Sequence, residues 1–332
     1  MTFTFKKAVR ENVGMIWIVA GGTGSGKTMS ALRLATGLAN GEKFCGIDTE
    51  NGRMLHYADK FDFDHGEIRA PFRPKAFTDA IESAISAKYK VVIVDNASHE
   101  HAGDGGLLAW HDEELDRMAG KVPDGPGVRY DWKKRDACNM AAWIQPKAGH
   151  KRMVSKLLAL PPGVHLILCL RAEEKIEVTK DDRGKTIYVP KKSLVGAEGW
   201  HPVCEKTLPF EATLSVLVTA KKPGVPIPIK LQEQHRPLVD LTKPLDEETG
   251  RRLGEWASGA KAKPEPVSAA PKPREERTVP AAGLITPTQE ESLEKLIVAV
   301  KADPVRFWKY VRDNNLGYEG AVTALEKKGS SS

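Results

Sequence analysis

The chain has 332 residues, 41% of them hydrophobic and 28% charged, which is the composition of an ordinary globular protein and is long enough for two domains. A formal net charge of +6 permits a nucleic-acid partner without requiring one. No stretch approaches the roughly eighteen uninterrupted apolar residues of a membrane span, and Met1 to Ala20 carries Lys6, Lys7, Arg10 and Glu11 in place of a signal-peptide core, so a cytoplasmic protein with no membrane partner is expected. Cys45, Cys138, Cys169 and Cys204 are scattered, without the spacing of a metal knuckle or redox pair, and are expected to be reduced core thiols.

Residues 1 to 13 form a polar lead-in in which Phe3 and Phe5 alternate as in a short edge strand. Met15 to Ala20 predicts the first buried strand, and Ala31, Leu32, Leu34, Ala35 and Leu38 predict a helix that ends at Asn40-Gly41. Between the two lies Gly21-Gly22-Thr23-Gly24-Ser25-Gly26-Lys27-Thr28, which fits the phosphate-binding pattern Gly, any four, Gly-Lys-Ser/Thr. The glycines let backbone N–H groups wrap an anion, and the following helix offers its positive N-terminal end. Lys27 is expected to reach the β- and γ-phosphates of a nucleotide, and Thr28 to ligate Mg²⁺.

A second strand is expected over Lys43 to Thr49, ending at Asp48-Thr49-Glu50, then a short strand at Glu67 to Arg69 and an amphipathic helix marked by Phe77, Ala80, Ile81, Ala84 and Ile85. The run Val91-Val92-Ile93-Val94-Asp95 predicts a buried parallel strand whose last residue, Asp95, holds the Mg²⁺ water shell or Thr28. Asn96 to Asp136 is polar and glycine-rich and is expected to be a functional or mobile excursion. Two helices are predicted over Ala137 to Ile144 and Met153 to Leu160, split by Pro146 and Gly149, then a buried strand Val164 to Leu170 that delivers Arg171. Ile176 to Thr179 and Thr186 to Val189 predict a β-hairpin, and Leu214 to Thr219 and Pro226 to Leu231 the last strands.

These elements define residues 1–256 as one α/β domain. A Pro/Ala/Lys/Glu linker over 257–283 and a small helical C-terminal module over 284–328 follow. The module opens on the capping sequence Thr286-Pro287-Thr288-Gln289; Leu293, Leu296, Ile297 and Val300 form one apolar face, and Val305, Trp308 and Val311 a second.

The chain resembles RecA-like recombinase ATPases, and more closely the phage-encoded nucleotide-binding proteins of that superfamily, some of which act in single-strand annealing or recombination. Four segments carry the resemblance: Gly24 to Thr28; Ile47-Asp48-Thr49-Glu50 with Tyr57 beyond it; Asp95-Asn96-Ala97-Ser98-His99-Glu100 leading to Gly103 through Leu107; and the strand ending at Arg171. It covers roughly residues 5 to 235 and implies a RecA-like P-loop core with a mostly parallel central sheet flanked by helices, ATP and Mg²⁺ as cofactors, and residence in the host cytoplasm if the chain is phage-encoded.

By that resemblance Glu50 is the carboxylate that orients the attacking water, with Glu100 as the second choice because another branch of these ATPases places its glutamate beside the strand-end aspartate. Tyr57 resembles the aromatic that stacks on adenine, and Arg171 the strand-end residue that senses the γ-phosphate. Lys222 resembles a lysine that reaches a neighbouring subunit's nucleotide, although Ala220 replaces the companion lysine of the filament enzymes. His99 and His101 lack a second ligand pair for a metal, so a structural or phosphate-sensing role is expected.

DNA contact is expected on two excursions, through Arg129, Lys133, Lys134 and Arg135 in one and Arg183, Lys185, Lys191 and Lys192 in the other, with Tyr130, Trp132 and Tyr188 available for base stacking. Glu173, Glu174, Glu177, Asp181 and Asp182 offset most of the positive charge of the second, so a solvated hairpin is equally consistent with it. Three functions follow. One is a DNA-stimulated ATPase that assembles head to tail on single-stranded DNA. Another is a nucleotide switch that binds a phage or host replication, recombination or packaging protein through residues 284–328. The third is a small-molecule kinase, for which no arginine-rich lid is present.

Overall fold

Alternate residues of the first strand are buried on opposite sides, which requires helices on both faces of the sheet. In the computed structural model Met15, Trp17 and Val19 join one apolar core, and Ile16, Ile18 and Ala20 join another. The structure describes residues 5, 7–124, 127–180, 184–192, 199–259, 287–300, 302–313 and 318–329. It divides into two compact units, Met1–Lys263 and Pro264–Ser332.

The first unit begins with β1 (Met15–Gly21), α1 (Lys27–Ala39), β2 (Phe44–Asp48), β3 (Phe63–Glu67), α2 (Pro74–Ser86) and β4 (Val91–Asp95). A short helix α3 (His99–Ala102), the longer α4 (Leu107–Ala119), a small hairpin β5 (Lys121–Asp124) and β6 (Gly127–Tyr130), and α5 (Trp132–Ala142) and α6 (Ile144–Leu158) follow. The chain re-enters the sheet as β7 (His165–Glu174), leaves it as the arm β8 (Ile176–Lys180) and β9 (Thr186–Pro190), and returns through β10 (Trp200–Pro202). The unit closes with α7 (Leu208–Glu211), β11 (Leu214–Thr219), β12 (Lys222–Lys230) and α8 (Glu247–Ala257).

The central sheet runs β12-β11-β1-β7-β4-β2-β3, with β10 paired to β7. From β11 to β3 neighbouring strands are parallel, whereas β12 and β10 are antiparallel to their partners. This is an α/β architecture with a mostly parallel sheet flanked by helices. Helices α1 and α8 cover one face; α2 and α6 cover the other. No helix among the described residues is long and apolar enough to cross a membrane.

Several elements differ from the sequence expectations for physical reasons. The strand expected at Glu67 to Arg69 is β3, four residues earlier, and its half-buried edge lacks an apolar pattern. The excursion after Asp95 contains α4, whose buried stripe Leu107, His111, Leu115 and Ala119 includes a polar member. Pro146 and Gly149 do not split a helix. Pro146 lies in the first turn of α6, where its missing N–H is not needed, and a side chain at Gly149 would meet the ring of Trp110. Strand β7 runs through Arg171 to Glu174, held by β10, and the buried run stops at Leu170. The proposed edge strand at Phe3 lies outside the described residues, and Phe5 is exposed without regular structure.

In the second unit α9 (Pro287–Ala299), α10 (Pro304–Asp313) and α11 (Tyr318–Gly329) enclose Leu293, Ile297, Phe307, Val311, Ala321 and Leu325. Val305, expected on a buried face, is 77% exposed; Phe307 takes the core position. Most of the expected linker, and Thr286 of the capping sequence, lie outside the described residues, while Ala257 belongs to α8 and is buried.

The close approach of α1 and α8 depends on two glycines that face each other's helix. A β-carbon on Gly37 would run into the Glu247 carbonyl, and one on Gly250 into the Leu34 carbonyl. Gly37→Ala is therefore expected to lower unfolding stability by about 1–3 kcal/mol despite alanine's better helix propensity. Urea denaturation checks this, and an unchanged or higher midpoint would contradict it.

Candidate functional site

The carboxyl ends of β1, β7, β4 and β2 lie side by side, so the residues that follow them share one crevice. A cavity of about 730 Å³ opens there, lined by Gly21 through Thr28, Glu50, Arg53, His56, Tyr57, Asp95, Asn96, Arg171, Ala172 and Glu173. The residues the sequence singled out at 21–28, 50, 57, 95 and 171 thus come together.

The loop between β1 and α1 is shaped by left-handed glycines, Gly24 at φ 70° and Gly26 at φ 83°, a conformation costly for other residues. Gly26 also lets the first residues of β12 approach. The Gly224 N–H donates to the Ser25 carbonyl at 2.9 Å, and a β-carbon on Gly26 would sit 3.0 Å from that nitrogen. From the other side the Trp200 ring packs on Gly22. Within the loop the Lys27 ammonium donates to the Gly22 carbonyl at 2.9 Å, and the Ser25 hydroxyl donates to the same oxygen at 2.7 Å. A glycine-rich loop leading into a helix N-terminus, with an ammonium folded across it, is suited to binding an oxyanion.

The Thr28 hydroxyl donates to Asp95 Oδ2 at 2.5 Å and ties the start of α1 to the end of β4. Burial pushes the Asp95 carboxyl above its ordinary pKa; the Thr28 hydrogen bond and Lys27 oppose that shift, and nearby Glu50 and Asp48 reinforce it. The Asp95–Asn96 peptide is cis.

Asp48 and Glu50 divide their tasks. The buried Asp48 carboxylate accepts the Glu50 N–H at 2.5 Å and the Met54 N–H at 2.7 Å, which builds the short 3₁₀ turn Arg53–Tyr57 and leaves Glu50 to line the cavity. Glu50 Oε1 accepts from Arg171 Nη2 at 2.9 Å and from Asn96 Nδ2 at 3.1 Å, and its Oε2 accepts from Arg53 Nη1 at 2.9 Å. Burial alone would raise its pKa, but these donors outweigh burial and bring it from 4.5 to about 2, so the carboxylate is ionised.

His99 completes the network. Its Nδ1 lies 2.8 Å from the Thr49 hydroxyl, whose own hydrogen goes to the Asn96 carbonyl, and its Nε2 lies 2.9 Å from Arg171 Nη2. Arginine can only donate, so Nε2 accepts and Nδ1 carries the proton. Burial first, and then the neighbouring Arg171 charge, lower the ring's pKa, in keeping with this neutral tautomer.

Other expected residues are placed elsewhere. Glu100 is buried, accepts from His150 Nδ1 at 2.9 Å and does not line the cavity, because α3 turns its side chain toward α6. Lys222 is exposed at the start of β12 and is absent from the cavity wall. Arg135 pairs with Asp116 and lies over the Tyr130 ring, so its charge is already satisfied, whereas Lys133 and Lys134 are exposed on α5. Lys185, Lys191 and Lys192 are exposed along the arm; Arg183 and the Arg129 side chain lie outside the described residues. Arg53 and Asn96 went unassigned in the sequence, although Asn96 adjoins the strand-end aspartate and Arg53 follows Glu50 by three positions.

No protein-family model matches the chain, and no curated protein matches it.

The three donors on Glu50 give a pH test. A carboxylate whose pKa is lowered on folding contributes stability that is fully present above its unfolded value and is lost as pH falls through its folded value. The destabilisation caused by Glu50→Gln at pH 7 is therefore expected to shrink as pH falls from 4.5 toward about 2. Denaturant midpoints of both proteins at several pH values measure this, and a difference that stays constant below pH 4.5 would contradict the ion-pair assignment.

Proposed function

We propose that the chain is an ATP-binding and ATP-hydrolysing RecA-like protein that acts on single-stranded DNA in phage recombination or annealing, in the host cytoplasm. The observation that carries this reading is the meeting of Lys27, Thr28, Asp95 and Glu50 around one cavity of about 730 Å³ at the carboxyl edge of a parallel sheet. In this reading the loop 21–28 and the α1 N-terminus bind the phosphates. Lys27 exchanges the Gly22 carbonyl for the β- and γ-phosphate oxygens, and Tyr57 lies against the base. Glu50, ionised and facing the cavity, orients a water for in-line attack, and Arg171 meets the γ-phosphate.

Magnesium fits the donors present. Thr28 and Asp95 offer two hard oxygens 2.5 Å apart, and no group of three His, Cys, Asp or Glu side chains suited to a metal exists among the described residues. An ion that keeps phosphate and water as its remaining ligands matches that arrangement, and when bound it supplies charge neutralisation at the phosphates.

Support for DNA comes from exposed cations beside exposed aromatics: Lys133 and Lys134 next to Trp132, which is 68% exposed, and Lys191 and Lys192 on the arm that carries Tyr188, 69% exposed. Head-to-tail self-association is part of the same proposal. The second reading, a nucleotide-dependent switch that docks a replication or recombination protein through the C-terminal unit, is favoured by that unit's exposed Val298, Val305 and Tyr310 at 76%, 77% and 52%.

Hydrolysis by the full chain is expected to rise on adding single-stranded DNA, to fall steeply with salt, and to drop by about 100-fold or more in Lys27→Ala. Equal turnover with and without DNA, together with capture of a partner that depends on the C-terminal unit, would favour the switch. Undiminished turnover in Lys27→Ala would contradict both.

A further inference from the structure

The Arg171 guanidinium makes an unusual choice of partners. A glutamate beside an arginine ordinarily takes two parallel N–H groups in a side-on fork, yet Glu50 Oε1 receives Nη2 alone, at 2.9 Å. The same Nη2 also reaches His99 Nε2 at 2.9 Å. Among the described residues Nη1 and the Nε–H of Arg171 make no hydrogen bond, and the side chain lines the cavity and is 52% exposed.

His99 is well braced for such a task. Its Nδ1–H is bound by the Thr49 hydroxyl at 2.8 Å, and the Phe72 ring lies 4.8 Å from its own ring. Thr49 is fixed in turn by its N–H to the Asp95 carbonyl at 2.9 Å and by two bonds to the Asn96 backbone. The Arg171 N–H is bound by the Ser98 hydroxyl at 2.8 Å, so the backbones that carry ring and guanidinium are tied together. Take away the Nε2 acceptor and the only remaining partner of the guanidinium among the described residues is Glu50, onto which it can rotate as a full fork. That would withdraw the free N–H groups from the cavity and cover the carboxylate at the same time.

Resting on the nucleotide reading above, we propose that His99 is a positioning residue: in its Nδ1–H form it holds one Nη2–H of Arg171 so that the rest of the guanidinium faces the terminal phosphate of a bound triphosphate instead of folding onto Glu50. His99 touches neither the phosphates nor the water and acts through Arg171. Its effect is on the discrimination of triphosphate from diphosphate, because only the triphosphate carries the group that Arg171 meets.

The test is the ratio of dissociation constants for ADP and for a non-hydrolysable ATP analogue, measured on the full chain with Mg²⁺ for wild type, His99→Ala, His99→Gln, Arg171→Ala and the double variant His99→Ala/Arg171→Ala. Wild type is expected to prefer the triphosphate. His99→Ala and Arg171→Ala each reduce that preference about tenfold, the worth of a hydrogen bond to a charged group, with ADP affinity unchanged. The double variant is no worse than Arg171→Ala, since a residue that acts only through another adds nothing once that other is gone. His99→Gln, whose amide oxygen can accept the same N–H, restores most of the preference. If His99→Ala does not fold, His99→Asn carries the same expectation, because its amide can still bond Thr49 but cannot reach Arg171. Additive losses in the double variant, no loss in His99→Ala or His99→Asn, or a wild type indifferent to the third phosphate would each overturn the proposal while leaving nucleotide binding intact. Binding that survives unchanged in Lys27→Ala would instead remove the nucleotide reading on which it rests.

Discussion

The candidate site rests on the parallel register that brings four strand ends to one level: Gly21 lies opposite Arg171, Cys169 opposite Asp95, and Asp95 opposite Asp48. A slip by one residue in any of these pairings would turn an inward side chain outward, because successive residues of a strand face opposite sides. The register is held by burial on both faces, with Val91 and Ile93 in one core and Val92 and Val94 in the other. A slip would exchange those two sets between differently shaped cores. The polar side chains that line the cavity therefore inherit their precision from apolar residues that do not line it.

Around that edge the charges are balanced by unlike means. Lys27 spends its ammonium on a carbonyl within its own loop, Asp95 on a threonine hydroxyl, and Glu50 on three donors from three different segments. Each of the first two bonds has one neutral partner, Gly22 in the same loop for Lys27 and Thr28 across the crevice for Asp95, so each is weaker than an ion pair and easier to exchange. Glu50 is held more firmly, and its low pKa of about 2 makes it a weak proton acceptor while all its donors remain. Because Arg171 Nη2 is shared between Glu50 and His99, under the proposed nucleotide reading any pull of a terminal phosphate on this guanidinium would also be felt by the carboxylate.

Where the fold was legible in the sequence, the physics was local. The glycine-rich loop, the apolar run ending at Asp95 and the β8–β9 hairpin are each encoded by residues adjacent in the chain. Elements that depend on distant partners were less visible. Helix α8 is hard to see because its apolar residues Leu253, Trp256 and Ala257 are few among charged neighbours, and its close approach to α1 runs through Gly37 and Gly250, which carry no side chain to betray a buried face. The same holds at the site. Nothing in the spacing of Asp95 and Glu100 reveals that a short helix turns Glu100 toward His150, or that Arg135 is used up by Asp116. Asp48 and Glu50, two positions apart, look interchangeable in sequence; only the turn that Asp48 caps separates a buried structural carboxylate from one facing the cavity.

The most direct measurement is a crystal structure of the full chain grown with Mg²⁺ and a non-hydrolysable ATP analogue. The account requires the phosphates in the loop 21–28, the Lys27 ammonium moved from the Gly22 carbonyl to phosphate oxygens, and a cation in place of the direct Thr28–Asp95 hydrogen bond. A nucleotide bound elsewhere, with Lys27 still on Gly22 and Thr28 still on Asp95, would contradict it.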